Sequence, residues 1–508
     1  MYAPVWRRRA TAVYRLTVIV PTRPRFRAAA PPIPLAAVSE ADDPVRKTAF
    51  RLGLALVFLR FSMLHQIQSM LMHVNLRLLY LVGIPALLGV LVAGGIRRTF
   101  RGRPAVYWTA FAVWMVLATP FSSWIGGSAS FVLVYLRTNI VMLFVVAGLA
   151  VTWRECRQLM YVIGASAVIN ALAARLFQSE ETAAAGRLSL DVGTIANSND
   201  YAAHMLLVIP FLLWIGLSSR WMAVRLAACL GVAYGIFIIL DTGSRGGTIG
   251  LCAGLLFFLW RGTARQRIAL LALGPVALVA LLALVPGKTL ERIRTITADT
   301  RNGDQEAIMS SESRQYLLRK SVLYALEHPL FGVGPGQFAS YEGRHNIVVG
   351  THGLWHEAHN SFTQAASECG IPALVFFLAG IVSTWRLLSA TRREASRRPD
   401  CRDIQTTTFC IMLAMAGFLA AITFLNFAYF FYLPALAGLA IATHHAAREQ
   451  FRSRAGARGR ILAPVLWPNE NNRWRNPAAV GTRQPAPCLV PNGTKRAQAM
   501  RRLEQRMR

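Results

Sequence analysis

Residues 269–284 read ALLALGPVALVALLAL, an unbroken run without a charged or hydrogen-bonding side chain. Residues 86–95, ALLGVLVAGG, are likewise all small or aliphatic. In hydrocarbon the backbone N–H and C=O groups of such runs must find partners within the segment, because no water is present to bind them. Each run is therefore predicted to be a helix that lies in a membrane.

Apolar runs of this kind recur from residue 78 to residue 446, at the length of about 17–25 residues that crosses a hydrocarbon layer of ~30 Å. The 508-residue chain is 54% apolar and 16% charged, with a mean hydropathy of +0.39; soluble proteins carry about 25% charged residues. An all-α integral membrane protein is predicted. The twelve predicted spans cover approximately residues 50–64, 78–96, 104–120, 131–151, 158–176, 199–217, 222–240, 244–260, 268–286, 367–388, 405–425 and 427–446.

The placement of lysine and arginine predicts the orientation of these spans. One set of alternate loops (97–103, 152–157, 218–225, 261–267 and 386–404) carries seventeen Lys and Arg residues. The other set of short loops (65–77, 121–130, 177–198 and 241–246) carries three. Because basic residues are retained in the cytoplasm, both termini are predicted to be cytoplasmic. The second set of loops, together with the long loop 287–360 before span ten, is predicted to face outward.

Three regions are predicted: a basic cytoplasmic N-terminal extension (1–48), a polytopic membrane domain (49–446) and a basic, disordered cytoplasmic tail (447–508). The net charge of +31 raises the alternative of nucleic-acid binding. However, nine Lys and Arg residues lie in 1–48 and fourteen in 447–508. In a membrane protein such excess favours cytoplasmic retention and contact with anionic lipids, so membrane lipids are predicted partners and nucleic acid is not.

The seven cysteines form no CxxC pair, and on the predicted topology only Cys369 approaches the outer side. The sequence therefore supports neither a disulfide framework nor a thiolate metal site.

Several arginines on the predicted outer side invite a functional interpretation. Arg245 lies between two spans, in LDTGSRGGTIG (240–250), with glycines that allow close backbone approach to a ligand. Its guanidinium suits a phosphate group, although an arginine at this depth can also reach lipid headgroups. Arg187, before an Asn/Asp-rich segment, has the same two readings. Arg314 is predicted to start an amphipathic helix that ends before His328, where it could face a cavity or stay solvated.

Histidines cluster where loop 287–360 enters the next span, in THGLWHEAHN (351–360). His352 and His356 are four residues apart, but HEAH lacks one residue of the H-E-x-x-H zinc motif. A zinc site therefore remains an alternative to ordinary loop histidines. The preceding glycine-rich turn candidate, GVGPG (332–336), resembles a phosphate-binding turn only in its glycines, since no Lys-Ser/Thr pair follows.

His359-Asn360, nine intervening residues and Gly370 resemble the H-[NSQ]-x9-G signature of the O-antigen ligase and polymerase superfamily. SRGG at 244–247, HPLFGVGPG at 328–336 and the position of the largest loop agree with it. The resemblance covers most of residues 50–446. It implies a GT-C-like membrane glycosyltransferase that is inverting and metal-independent, with no cofactor. The implied donor is a polyprenyl-diphosphate-linked glycan, used at the outer, periplasmic face of the cytoplasmic membrane.

The resemblance also implies roles for individual residues. His359 would be the catalytic base, because a neutral histidine near pH 7 can remove the proton of a sugar hydroxyl. Arg245 and Arg314, with Arg187 as a further candidate, would bind the diphosphate. Three residues would have supporting roles: Asn360 would orient His359 or bind a sugar hydroxyl, Glu357 would contact the acceptor glycan, and Gly370 would serve packing.

Other functions remain open at this point. Within the superfamily, a ligase joins the glycan to a lipid A–core acceptor, a polymerase joins it to another repeat unit, and a protein O-oligosaccharyltransferase uses a protein. From another class, a twelve-span polysaccharide transporter or flippase would show two related halves with a site at the membrane midplane. The sequence shows no such halves, which favours the transferase.

Overall fold

The computed structural model describes residues 40–178, 187–190, 193–195, 197–284, 287, 305–348 and 355–461. Within these ranges the regular structure is helical and no strand occurs. The prediction of an all-α membrane protein is thereby confirmed. The described residues up to Ala455 belong to one compact unit, and those from Gly456 onward are assigned to a second. The three predicted regions 1–48, 49–446 and 447–508 remain predictions, since 1–39 and 462–508 lie outside the described residues.

The described α-helices are α1 (Pro44–Ser62), α2 (Leu64–Met72), α3 (Leu78–Val92), α4 (Gly95–Thr99), α5 (Arg103–Ala118), α6 (Ile125–Val134), α7 (Val141–Leu149), α8 (Trp153–Leu176), α9 (Ser198–Ser218), α10 (Met222–Asp241), α11 (Arg245–Arg261), α12 (Ala264–Leu284), α13 (Gln305–Glu327), α14 (Phe338–Val348), α15 (Ser361–Ser396), α16 (Arg402–Ala421) and α17 (Tyr432–Ile461). A π-helical turn, Tyr135–Asn139, joins α6 to α7. Short 3-10 turns lie at Thr119–Phe121, Gly193–Ile195, Pro399–Cys401 and Ile422–Phe424.

The described helices account for a multi-pass membrane protein. Eight of them are long and apolar enough to cross a bilayer, or nine if the bent pair α1–α2 forms one span. Every predicted span overlaps a described helix, but α3 and α11 have 15 and 17 residues and fall short of that length. The count of twelve and the orientation remain predictions. The first span differs from expectation, since α1 begins at Pro44 and a 69° bend follows it.

Helix α9 lies at the centre of the bundle and is the most buried of the candidate spans. It packs against α8, α10, α11 and α16. Helix α15 packs against α5, α13 and α16, whereas α12 has no buried residue and lies at the periphery. Helices α9, α11 and α15 therefore all pack against α16.

The described part of loop 287–360 has a small core of its own. Helix α13 contributes Leu317 and Tyr324, which pack with Val333, Phe338 and Ala358. The predicted amphipathic helix is confirmed, but its start is not. Helix α13 begins at Gln305, so Arg314 lies near its middle rather than at its first turn.

The glycine turn at residues 332–336 fastens this loop to α15. Val333 N–H donates to the carbonyl of Ser367 (2.8 Å) and Gly334 N–H to that of Glu368 (2.9 Å). The fully buried carboxylate of Glu368 accepts from Gly336 N–H (3.0 Å). These backbone donors are therefore directed at α15, and the turn acts as a structural connection rather than as a phosphate cradle.

Gly370 marks the point at which α15 is broken. Its φ of 82° and ψ of 173° are not helical, and they fall in a region that residues with a side chain avoid. Ile371 N–H donates to Pro329 O (2.8 Å), and a Cβ on Gly370 would lie 2.1 Å from Leu330 O. The glycine is thus required for close packing of the loop on α15.

We expect Gly370→Ala to lower the free energy of unfolding by roughly 2–5 kcal/mol, from backbone strain and a clash with backbone atoms. The measurement is thermal unfolding of the purified chain in detergent. Gly254→Ala is the matched control, because its Cβ would meet neighbours only at 3.9 Å within a helix that favours alanine. Equal midpoints for the two variants would contradict this account.

Candidate active site

Three helices begin at one end of the bundle, and each is capped by a side chain. Asn197 Oδ1 caps α9, Ser244 Oγ caps α11 and Asn360 Oδ1 caps α15, each by accepting a backbone N–H bond within the first turn. A helix N-terminus carries partial positive charge from its unpaired N–H groups. Convergence of three such ends favours binding of an anion.

His359 lies directly before α15 in a left-handed backbone conformation, with φ of 50°. Its N–H donates to Asn426 Oδ1 (3.0 Å). The next residue but one, Ser361, donates to Leu425 O (2.7 Å) and accepts from Phe427 N–H (2.8 Å). The segment between α16 and α17 therefore fixes the backbone of His359. The imidazole itself makes no hydrogen bond with any described residue, so its nitrogens are available to a substrate.

Arg314 reaches the same place from loop 287–360. Ser321 Oγ, two turns along α13, donates to Thr363 Oγ1 (2.8 Å) at the start of α15. Residues seven apart lie on the same helix face, so Arg314 faces α15 as Ser321 does. This packing accounts for the electrostatic effect of Arg314 on His359.

The electrostatics show that His359, Arg314, Arg245 and Asp200 lie close together. Burial, with the positive charges of Arg314 and His356, lowers the pKa of His359 from 6.5 to about 4. Burial and the nearby charge of Arg245 lower the pKa of Arg314, while Asp200 opposes this. The site thus combines a histidine that is neutral at pH 7 with two adjacent cations.

Arg187 lies beside the segment that leads into Arg245. Leu188 N–H donates to Asp241 O (3.1 Å), and the Arg187 carbonyl accepts from Gln178 Nε2 (3.1 Å). The carboxylate of Asp241 pairs with Arg175 at 2.6 Å. The structure therefore places Arg187 at the edge of the site, next to an ion pair that the sequence did not predict.

The three supporting residues have different surroundings. Asn360 Oδ1 accepts N–H bonds from Phe362 (2.9 Å) and Thr363 (3.1 Å), so its oxygen caps α15 and only its NH₂ group is available to a ligand. Gly370 contacts the loop, as described above, and lies at a break in α15 rather than in the regular helix.

Glu357 is half-buried two residues before His359. Burial raises the pKa of this carboxyl, and its Oε2 finds no hydrogen-bond partner among the described residues. It also lies within electrostatic range of Glu368. An unpartnered acceptor beside the histidine suits a hydroxyl donor, which fits the expectation of a glycan contact.

The zinc alternative remains untested, because His352 lies outside the described residues. Among those described, no group of three or more His, Cys, Asp or Glu side chains has the geometry of a metal site. His356 is exposed, and its effect on His359 is electrostatic.

Sequence reasoning missed Asn426, Asp200 and Glu368. Asn426 is a lone polar residue within LNFAYFFYL (425–433), a signal that could have identified it, because a polar side chain between two spans needs a partner. Asp200 lies in the Asn/Asp-rich segment noted above, but nothing in the sequence couples it to Arg314. Glu368 is the eighth residue of α15, where only the fold reveals its loop partners.

Residues 230–378 match the family model described as O-antigen ligase. The chain carries an O-antigen ligase domain. The predicted resemblance to the O-antigen ligase and polymerase superfamily is thereby confirmed, and that family is one of membrane enzymes acting on lipid-linked glycans and acceptors. The comparison with curated proteins finds no match.

The O-antigen ligase domain contains most of the predicted site. His359, Arg245, Arg314, Asn360 and Glu357 all fall within residues 230–378, as does Gly370, whereas Arg187 precedes them. Asp200 and Asn426 also lie outside the matched segment. Asp200, in α9, acts on Arg314 through its charge, and Asn426, between α16 and α17, binds the N–H of His359.

We expect Asn360→Ala to cost about 1 kcal/mol of stability, because the first N–H groups of α15 lose their cap. Asn360→Ser should retain most of that stability, since serine caps equally well. The measurement is the thermal unfolding midpoint of each purified variant beside the unmodified chain. If serine and alanine destabilise equally, capping is not what this side chain contributes.

Proposed function

We propose that the protein is an O-antigen ligase-like glycosyltransferase. It transfers a glycan from a polyprenyl-diphosphate carrier, such as undecaprenyl diphosphate, to a sugar hydroxyl of a lipid A–core-like acceptor. The reaction would take place at the periplasmic face of the inner membrane and serve lipopolysaccharide biosynthesis. The observation that carries the proposal is the neutral, half-buried His359 near Arg314 and Arg245, within the matched domain.

In the proposed reaction His359 is the general base. It removes the proton of the acceptor hydroxyl as that oxygen attacks the anomeric carbon of the donor sugar. The bond from the anomeric carbon to the diphosphate oxygen breaks, and its electron pair leaves with the polyprenyl diphosphate. Because attack comes from the side opposite the leaving group, the anomeric configuration inverts. The lowered pKa of His359 keeps the imidazole unprotonated at pH 7. A bound diphosphate that offsets the charge of Arg314 would raise this pKa toward the working pH, where a general base is most effective.

Arg245 and Arg314 are the proposed partners of the departing diphosphate. Negative charge grows on that group as the bond breaks, and fixed cations in a partly buried site stabilise it strongly. The capped N-termini of α9, α11 and α15 add partial positive charge on the same side. Arg187 is the third, more peripheral candidate, because its contacts place it beside Asp241.

Metal independence is part of the proposal. The arginines and helix ends supply the positive charge that a divalent cation would otherwise provide. The rival zinc hypothesis, built on the HEAH histidines, makes the opposite prediction for chelation.

We expect His359→Asn to reduce glycan transfer by roughly 10²–10⁴-fold, the usual contribution of a general base. Asparagine tolerates the left-handed backbone of residue 359, so this variant separates loss of the imidazole from backbone strain, which His359→Ala would add.

Arg245→Gln and Arg314→Gln should each reduce glycan transfer roughly 10²–10³-fold. The Lys variants should be partly active, because a point charge replaces the bidentate fork. The assay is transfer from a polyprenyl-diphosphate-linked glycan in proteoliposomes, with and without EDTA.

For each variant, a loss of transfer activity must be shown to arise from the missing side-chain group and not from misfolding. Thermal unfolding confirms the fold, and Arg77→Gln is a matched control for the charge removed, because Arg77 is exposed at the cap of α3. Full activity of His359→Asn would refute the general base. Loss of activity in EDTA, restored by zinc, would favour the metal hypothesis instead.

The same assay distinguishes ligase from polymerase by its product. A ligase consumes lipid A–core in the presence of preassembled carrier-linked glycan and leaves the chain length unchanged. A polymerase lengthens the carrier-linked glycan and needs no lipid A–core. The proposal commits to the first product, since the matched family model is described as O-antigen ligase.

The pH dependence of transfer should report the pKa of His359. The acid limb of kcat/KM, which refers to the free enzyme, is expected near pH 4 and not near the ordinary 6.5. The acid limb of kcat should lie at a higher pH, because the bound diphosphate offsets the charge of Arg314 and so raises the pKa of His359 in the complex. Stability should fall in the same window, since between pH 6.5 and 4 the unfolded chain binds a proton that the folded chain does not. An acid limb of kcat/KM at or above 6.5 would contradict the assignment.

A further inference from the structure

A second polar cavity lies at the opposite end of the helices from His359. Its volume is about 460 Å³, and it is lined by the segment at Glu40, the turn between α4 and α5, the junction of α7 and α8, and the middle turns of α17 (442–452). Helix α17 begins six residues after Asn426, which holds His359, and His445 lies thirteen residues further along it. At 1.5 Å per residue that is roughly 20 Å, so the two sites are separated by the bundle.

The lining of this cavity is strongly basic. Arg98, Arg101, Arg448 and Arg452 face it, and the acidic groups that oppose them are Glu40 and Glu449. Glu40 lies 3.8 Å from Arg98 and 3.7 Å from Arg101, and Glu449 lies 3.7 Å from Arg452. Four cations against two carboxylates leave the lining net positive, so the site favours an anionic ligand.

Two buried donors and one histidine nitrogen in this lining lack partners among the described residues. Arg98 and Trp153 are only 6% and 8% exposed. Arg98 Nε donates to Gly148 O (2.8 Å), yet Arg98 Nη2 and Trp153 Nε1 find no hydrogen-bond partner among the described residues, and neither does His445 Nε2. A buried donor without a partner costs about 1–3 kcal/mol. Such donors beside a cavity indicate that a ligand with several acceptor oxygens completes the site.

The remaining lining indicates which anion this is. Ala147, Ala150, Ala442 and Ala446 give the cavity an apolar side next to its arginines, and it lies at the ends of membrane helices. An amphiphile with a phosphate at its head matches both properties, whereas free phosphate needs no apolar contact. On the predicted orientation this end faces the cytoplasm, where anionic headgroups attract arginine.

We propose that this cavity is a specific binding site for the phosphate headgroup of an anionic phospholipid, held by Arg98, Arg448 and Trp153. The site does not depend on the transferase function, because it lies at the other end of the bundle. Its occupancy stabilises the junction between α4, α7 and α17, where Arg98 and the middle turns of α17 meet.

The test uses the full chain in mild detergent, with phosphatidylglycerol, phosphatidylcholine or inorganic phosphate added at matched ionic strength. Native mass spectrometry measures bound lipid, and thermal unfolding measures its effect. Phosphatidylglycerol should bind and raise the midpoint, and phosphatidylcholine should not. Arg98→Gln should weaken this binding about fivefold, and the double variant Arg448→Gln/Arg452→Gln about 25-fold, following the usual worth of each basic residue near an anionic headgroup.

Arg393→Gln/Arg397→Gln is the matched control, because these exposed arginines line a separate depression of about 460 Å³ at the end of α15. The control should bind phosphatidylglycerol as the unmodified chain does. If the control variant loses binding equally, phosphatidylglycerol is attracted by basic residues in general and the proposal of a specific site is wrong. If inorganic phosphate stabilises as strongly as phosphatidylglycerol, the lipid assignment is wrong. Should Arg98→Gln fail to fold, because Arg98 Nε also holds Gly148, the exposed pair Arg448 and Arg452 decides the result.

Discussion

The contact between the carboxylate of Glu368 and the backbone N–H groups of Gly336 and Phe338 joins loop 287–360 to the membrane helices. A carboxyl group that is wholly buried is costly unless donors surround it, so the glycine turn and α15 stabilise one another. Glu368 lies nine residues after His359, within the helix that His359 precedes. The loop that carries Arg314 and the helix that follows His359 are consequently held in one arrangement, and the chemistry of the site depends on it.

That arrangement concentrates positive charge before any ligand binds. Burial and, after it, repulsion by Arg245 lower the pKa of Arg314, and Asp200 offsets only part of this. Three helix N-termini add to the same potential. The fold must therefore supply the energy that brings these groups together. The packing of α13 through Ser321 and Thr363, together with the capped helix starts, provides that support. A preorganised set of cations of this kind needs little rearrangement when charge develops on a diphosphate.

Much of the fold could be read from the sequence because hydrocarbon leaves the backbone few choices. The run at 269–284 had to be helical, and it is α12. The bend after α1 could not be predicted, because it depends on the left-handed backbone conformation of Met63. Nothing in a methionine side chain favours that conformation. Likewise, Arg314 was placed at the start of its helix because polar residues precede it, although α13 extends nine residues further back.

The site was predicted less completely, and for a different reason. His359, Asn360 and Gly370 form a local signature, so the sequence alone could identify them. Asn426 and Asp200 act over long separations along the chain, through a backbone N–H and through charge, and no local pattern encodes such pairs. GVGPG resembles a phosphate-binding turn only in its glycines, and in the structure the N–H groups of Val333 and Gly334 bind α15 instead.

Three arginines that the sequence does not distinguish differ in how far they are buried. Arg77, Arg187 and Arg245 are the three basic residues of the arginine-poor short loops, and hydropathy gives each the same two interpretations. In the structure Arg77 is exposed at a helix cap, which suits lipid headgroups or water. Arg187 and Arg245 are half-buried at the two sides of Asp241. Burying a guanidinium is unfavourable unless anionic or hydrogen-bonding groups compensate. Arg187 and Arg245 thus lie within the protein and Arg77 at its surface, and the fold, rather than the count of arginines, makes that distinction.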